Sequence, residues 1–300
     1  MLITDIIHAC KYSNDHWRHA DSSELYWAIN RTTPISTSNL NVPAETVQIF
    51  GIEITNQALR EAAVWISQCA ERNIKTSVAF VNTHCLNVTF RDDAYRRSLM
   101  NFDRVFGYGS GMRMSARSSG VRLRDNVKGA DILPLICEEA ERRDLGLFLF
   151  GHSDEIAWQA ARTLSRCYQD LSICGTHAGH FSRPSEEDKV IDTINRSGAK
   201  ILLVGLDVPL QEKWIVENRH RITVPVIAGI GGQIDYSHAS ALSAPSQLSS
   251  QGTSSSWAGL SQLTGHHIVG NAEYFGRFVW SLITRGGALP GKEAENHIHQ

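Results

Sequence analysis

Two apolar runs that end in glycine, with amide and acid side chains just beyond them, carry the strongest chemical suggestion in this chain. The stretch is Ala199 to Tyr236, AKILLVGLDVPLQEKWIVENRHRITVPVIAGIGGQIDY. Ile201 to Val204 breaks at Gly205 and meets Pro209 where a helix should begin. Pro209 suits a first helical position because its missing N–H would be unpaired there anyway, and Asp207 can accept hydrogen bonds from the free amides. Leu210, Trp214 and Asn218 recur four apart, which turns Trp214 and Ile215 toward a sheet and Glu212, Lys213 and Glu217 outward. A second run, Val224 to Ala228, ends in Gly229-Ile230-Gly231-Gly232. This is a β-α-β unit whose two strand ends form a crevice, and its free N–H groups suit an anionic ligand. Gln211-Glu212 at the helix start also reads as a simple helix cap.

Other constellations are less specific. Gly107-x-Gly109-x-Gly111 follows a strand and precedes a helix, but the third glycine of a dinucleotide fingerprint would fall at Met112, and no acidic residue closes a second strand downstream. A nicotinamide or flavin enzyme is therefore disfavoured. There is no G-x-x-x-x-G-K-[ST] and no G-x-S-x-G, which sets aside the common nucleotide triphosphatase and nucleophile-elbow hydrolase readings. His152-Ser153 and the pair His177 and His180 lie beside glycine-bounded strand ends that tolerate polar residues, and no carboxylate sits at ligand spacing.

The elements that must position these residues follow from hydrophobic period. Strands are expected at Val47–Ile54, Val78–Val81, Arg104–Phe106, Leu147–Phe150, Leu171–Cys174, Ile201–Val204 and Val224–Ala228. Helices are expected at Gln57–Arg72, Asp92–Met100, Asp131–Arg143, Asp154–Tyr168, Glu186–Arg196 and Tyr274–Ile283, the last with Phe275, Phe278, Val279 and Leu282 on one face. Alternating strands and helices imply an α/β fold, a mainly parallel sheet with helices on both faces. Residues 1–45 read as a polar N-terminal extension, 46–236 as the α/β domain, and 237–300 as a serine-rich linker with a C-terminal helical appendage.

At 300 residues the chain can bury a large core, and 42% apolar and 20% charged residues describe a globular protein. A net charge of −2 gives no reason to expect nucleic acid as a partner. The six cysteines lack C-x-x-C spacing and read as buried thiols of a reducing compartment. The first residues lack a basic start and a cleavage site, and no apolar run approaches the ~20 residues of a membrane helix. A cytoplasmic protein is expected, one that can lie against a membrane.

Six motifs occur in one order: Phe80-Val81-Asn82-Thr83-His84-Cys85-Leu86-Asn87, Lys128-Gly129-Ala130-Asp131, Phe148-Leu149-Phe150-Gly151, Gly179-His180-Phe181, Val204-Gly205-Leu206-Asp207-Val208-Pro209-Leu210-Gln211-Glu212-Lys213-Trp214-Ile215, and Gly229-Ile230-Gly231-Gly232-Gln233-Ile234-Asp235-Tyr236. In this order the chain resembles the WecG/TagA/CpsF family of bacterial glycosyltransferases over roughly Val47 to Tyr236, the G-x-x-x-P-x-Q-E-x-W-I segment being the most specific piece.

The resemblance implies inverting, metal-independent transfer of a sugar from a UDP-sugar to a lipid diphosphate-linked acceptor, at the inner face of the plasma membrane, in exopolysaccharide or cell-surface polysaccharide synthesis. No cofactor is implied, and no D-x-D occurs in the sequence. Asn82, Gly205, Pro209, Gln211, Glu212, Gly231, Gly232 and Asp235 are the expected substrate-binding positions, with Asp131, His84 and Tyr108 as catalytic candidates. The family's Pro-Asp-Gly, whose aspartate is the proposed general base, is matched here by Gly107-Tyr108-Gly109, and its Arg-Ala-Pro by Ser243-Ala244-Pro245. Tyrosine, with a solution pKa of about 10, is a poor base at neutral pH. Either Asp131 or His84 takes over, or the chain is a degenerate nucleotide-sugar-binding paralogue that scaffolds or regulates such a pathway. Asp131 also reads as a cap of its own helix. Trp257 and the apolar face around Phe275 could serve a membrane or, in a homo-oligomer, a second subunit, although ordinary packing of that face onto the domain is the favoured reading.

Overall fold

Strand residues of this chain alternate between two interiors, and that alternation defines the layers. A computed structural model describes residues 44–151, 153–179, 186–231 and 273–280. Val78 and Phe80 of β3 (Thr76–Val81) enter one apolar cluster while Ala79 and Val81 enter another. In β5 (Leu147–Gly151) and β7 (Ile201–Gly205), Leu147, Leu149, Ile201 and Leu203 face the first cluster, and Phe148, Phe150, Leu202 and Val204 face the opposite side. Such near-continuous apolar strands are what a sheet buried on both faces requires.

The eight strands follow the order β1-β2-β4-β3-β8-β7-β5-β6, with β1 (Thr46–Ile49), β2 (Ile52–Thr55), β4 (Arg104–Gly107), β6 (Ile173–Ala178) and β8 (Val226–Gly229) completing the set. Only the β1–β2 pair is antiparallel among the described strands. The expected single strand Val47–Ile54 is thus a hairpin: Phe50 and Gly51 both adopt positive φ, 51° and 80°, the geometry of a two-residue turn that matches strand twist. One face carries α1 (Leu59–Glu71), α5 (Gly129–Arg142) and α6 (Asp154–Cys167). The other carries α2 (Thr83–Thr89), α3 (Asp93–Met100) and α4 (Ser110–Ser118) at one end, and α7 (Glu187–Arg196) and α8 (Leu210–Asn218) at the other.

Several boundaries depart from the periodicity, each for a local reason. α2 was not expected: the Asn82 side chain accepts from the Cys85 N–H at 3.1 Å and starts a helix directly at the end of β3. β6 runs to Ala178 because Gly175 can pass the Phe148 ring, whose edge lies 2.7 Å from where a Cβ would stand. A helical segment over 273–280 is present, but its apolar stripe is rotated from expectation. Tyr274 and Phe278 are buried, whereas Phe275 is 46% and Val279 50% exposed. The Tyr274 ring meets Phe50 edge-on, its hydroxyl bonds Ser115 at 2.6 Å, and so its helix packs on α4 and the β1–β2 hairpin. Cys69, Cys85 and Cys137 are buried free thiols; Cys167 and Cys174 are half-buried. Residues 1–43, the serine-rich stretch, Trp257 and the Ser243-Ala244-Pro245 triplet lie outside the described residues.

Candidate active site at the C-terminal ends of the strands

Parallel strands deliver their following residues to one edge, and here the glycine-ended strands do so side by side. Val81 pairs in register with Gly107, Ala79 and Val204 both with Gly229, and Gly151 with Gly205. Asn82, Tyr108, Gly205 and the loop that leads into α8 therefore open onto one edge of the sheet.

Gln211 and Glu212 organise the α8 side. Gln211 is 1% and Glu212 0% exposed, so Glu212 does not face outward as the spacing suggested. The Gln211 Oε1 accepts from Gly231 N at 2.9 Å and from Leu206 N at 3.3 Å, and its Nε2 donates to Glu212 Oε1 at 2.8 Å. Two N–H donors can meet only the amide oxygen and the carboxylate only the NH2, so the partners determine which way the amide points. The expected anion crevice is thereby changed. The amides of Leu206 and Gly231 are taken by Gln211, which clamps the ends of β7 and β8 together. Gly229 is glycine for the same reason, since a Cβ there would stand 2.6 Å from Gln211 Nε2. Pro209, joined by a cis bond to Val208, occupies the N-cap rather than the first helical turn, and the Asp207 carbonyl accepts from Gln211 N. Trp214 anchors α8, fully buried against Phe150 with its indole N–H on Glu187 Oε1 at 2.9 Å.

The second carboxylate oxygen of Glu212, Oε2, is buried without a hydrogen-bond partner. Burial pushes the Glu212 carboxyl up to about 7, against the lowering pull of the Gln211 bond. Cys85, itself pushed up to about 12 chiefly by burial and then by the Glu212 charge, lies on that side, as does the buried Tyr95.

Across the cleft, Asn82 Nδ2 donates to the Tyr108 hydroxyl at 2.9 Å. The Tyr108 hydroxyl is raised far above the ordinary tyrosine value, first by burial, then by Cys85, with Glu212 and Asp131 adding to it. It stays protonated throughout the physiological range. With its proton held this firmly, Tyr108 is suited to hydrogen bonding rather than to the part of a base. Sequence reasoning missed Asn126, whose Oδ1 accepts from Gly109 N at 2.6 Å and so holds the turn that presents Tyr108. The only available signal was an Asp-Asn pair shortly before a helix.

Of the remaining candidates, Asp131 lies half-buried in the first turn of α5, a helix that begins at Gly129 with Lys128 at its N-cap, so Asp131 is not the capping residue. Gly129 is required there because a Cβ would stand 2.6 Å from the Ile230 carbonyl. His84 is exposed on α2. Gly231 adopts φ of 97°, which glycine alone takes readily. Gly232, Asp235 and His180 lie outside the described residues. In the glycine triplet, a Cβ on Gly111 would stand 2.3 Å from Thr83 Cγ2, so Gly111 is needed for close packing against α2.

The family model described as "Glycosyl transferase WecG/TagA/CpsF family" matches residues 47–257. The chain belongs to the WecG/TagA/CpsF family. It is a glycosyltransferase-family chain of polysaccharide biosynthesis, and the match spans every described residue of the cleft. Among similar proteins is the N-acetylglucosaminyldiphosphoundecaprenol N-acetyl-beta-D-mannosaminyltransferase of Bacillus subtilis (strain 168), 24% identical over 205 residues, covering 68% of this chain and 79% of that protein. The protein of the same description from Staphylococcus aureus (strain COL) is 20% identical over 193 residues, covering 63% and 74%. No helix among the described residues is long and apolar enough to cross a membrane.

Proposed function

We propose that this chain transfers a sugar from a UDP-sugar to an N-acetylglucosamine carried on a lipid diphosphate, in bacterial exopolysaccharide or cell-surface polysaccharide synthesis. The observation that carries the reading is the family match across the whole cleft, with relatives whose names specify an N-acetylglucosaminyldiphosphoundecaprenol acceptor. In the proposed reaction the acceptor hydroxyl attacks the anomeric carbon opposite the departing UDP. The new C–O bond forms as the bond to the diphosphate breaks, and the configuration inverts. The acceptor proton passes to Asp131, the half-buried carboxylate whose charge is felt at Tyr108, while Asn82 and Tyr108 orient the sugar. Lys128, exposed at the start of α5, places a positive charge beside that helix N-terminus for the diphosphate without a metal ion.

A second reading, a nucleotide-sugar-binding paralogue without turnover, is favoured by one observation: the position of the family's base is held by a tyrosine that keeps its proton. Transfer from labelled UDP-sugars to a lipid diphosphate-N-acetylglucosamine, by the natural protein and by Tyr108→Asp, separates the two. The expected result is transfer by the natural protein that Asp131→Asn reduces about 100-fold or more. Activity in Tyr108→Asp alone would establish the second reading, and UDP-sugar binding by neither protein would overturn both.

Contact with the inner face of the plasma membrane is proposed for the side that carries residues 273–280. Phe275, Val279 and Trp280 (69% exposed) lie there with Phe90, whose ring Arg277 covers at 4.2 Å. An apolar patch with a basic rim suits an anionic lipid surface. Co-sedimentation with vesicles containing anionic lipid is expected to fall several-fold in Trp280→Ala/Phe275→Ala; unchanged binding would remove this face from consideration.

A further inference from the structure

The far end of the sheet bears a surface that the transfer reaction does not use. β6 closes the sheet opposite the hairpin, and no described strand pairs with its outer edge. Beside it α6 presents Glu155, Trp158, Arg162 and Arg166, spaced three, four and four residues apart and all exposed, so they form one stripe along the helix. Trp158 is 53% exposed, covered in part by the Arg162 guanidinium at 4.6 Å from its ring centroid. Between stripe and strand runs an open groove of about 470 Å³ lined by Trp158, Arg162, Arg166, Ile173, Gly175 and Thr176. A large exposed tryptophan, a strand edge unpaired among the described residues and a groove together make a contact surface.

The order of charge along the stripe selects that occupant. The stripe is acidic at its start, aromatic in the middle and basic at its end. Glu155 and Arg166 are separated by about 16 Å along the helix at 1.5 Å per residue. A two-fold axis between Trp158 and Arg162 lays a second α6 antiparallel on the first, which brings Glu155 of each copy opposite Arg166 of the other. The same operation sets each Trp158 against the opposite Arg162 and groove, and the antiparallel helix dipoles add to the attraction. A parallel arrangement would oppose like charges. We infer that the chain self-associates as a two-fold dimer through α6 and the outer edge of β6. This inference does not depend on the proposed transferase reaction, and the face lies on the edge strand farthest from the hairpin-side helix of residues 273–280.

Sedimentation velocity of the full chain, from about 1 to 100 µM at low salt, tests it. Because symmetry repeats every contact twice, Glu155→Arg and Arg166→Glu are each expected to weaken dimerisation about 100-fold, by two unfavourable pairs per dimer. In Glu155→Arg/Arg166→Glu the charges are exchanged within one chain, and the dimer is expected to return. Mixing the two single variants also restores opposite charges at both contacts and is expected to give a mixed dimer, which excludes misfolding as the cause. Trp158→Ala is expected to weaken association in all backgrounds. A chain that stays monomeric across the range, a dimer indifferent to the single exchanges, or a double variant and mixture that fail to recover would each overturn the inference. Capture of a different protein by a monomeric chain would likewise assign the surface elsewhere.

Discussion

Glu212→Gln is expected to make the protein more stable at pH 8 by about 3 kcal/mol, and to leave its stability nearly unchanged at pH 4.5. The magnitude follows from a carboxyl raised from 4.5 to about 7 in the folded state, at roughly 1.4 kcal/mol per pH unit. The direction follows from linkage. A carboxyl whose folded pKa is raised holds its proton in the native chain after the unfolded chain has released it. The stability it contributes is therefore full below 4.5, falls between 4.5 and about 7, and is flat above that. Glutamine keeps an oxygen for the Gln211 NH2 but cannot ionise, so it removes the slope and retains the clamp. Urea unfolding of both proteins across that window is the measurement, and parallel stability profiles would show that the Glu212 carboxyl is not raised.

Gln211→Ala should have the larger combined effect on fold and activity. The substitution strands the Leu206 and Gly231 amides and removes the donor on Glu212 Oε1, in a site that is almost fully buried. At 1–3 kcal/mol for each stranded group, partly relieved by entering water, a loss of about 3–5 kcal/mol is expected. Separated strand ends would also misplace the cleft, and a displacement of about 1 Å is enough to cost roughly 100-fold in transfer rate. Assays at a temperature where the variant remains folded distinguish the two effects. A variant as stable as the natural protein would mean that the clamp is dispensable. Full transfer by a folded but weakened variant would confine Gln211 to a structural part.

The composition of this chain and its periods were enough to determine an α/β class and most strand positions, and they singled out the segment from Gly205 to Ile215 as the place to look for chemistry. Strands such as Ile201–Val204 are apolar on both faces and bounded by glycine, so their signal is local and survives without knowledge of neighbours. The family resemblance also rested on the order of short motifs, which a linear reading preserves. What linear reading could not supply was the orientation of groups whose partners are distant in the chain. Glu212 looked solvent-facing by helical spacing and is buried, because α8 packs against α3 as well as the sheet, with Lys213 bonded to Asp92 at 2.5 Å. The crevice amides looked free because nothing in the spacing showed Gln211 folding back onto Gly231, 20 positions away. Asn126 was invisible because its partner, Gly109, is 17 positions away. The apolar stripe of residues 273–280 was misplaced by one position, since only the hairpin and α4 decide which side of that helix is covered. Periodicity reports how a segment alternates; which neighbour meets each face is settled only when the elements pack, and in this chain that difference falls mostly on the polar groups of the cleft.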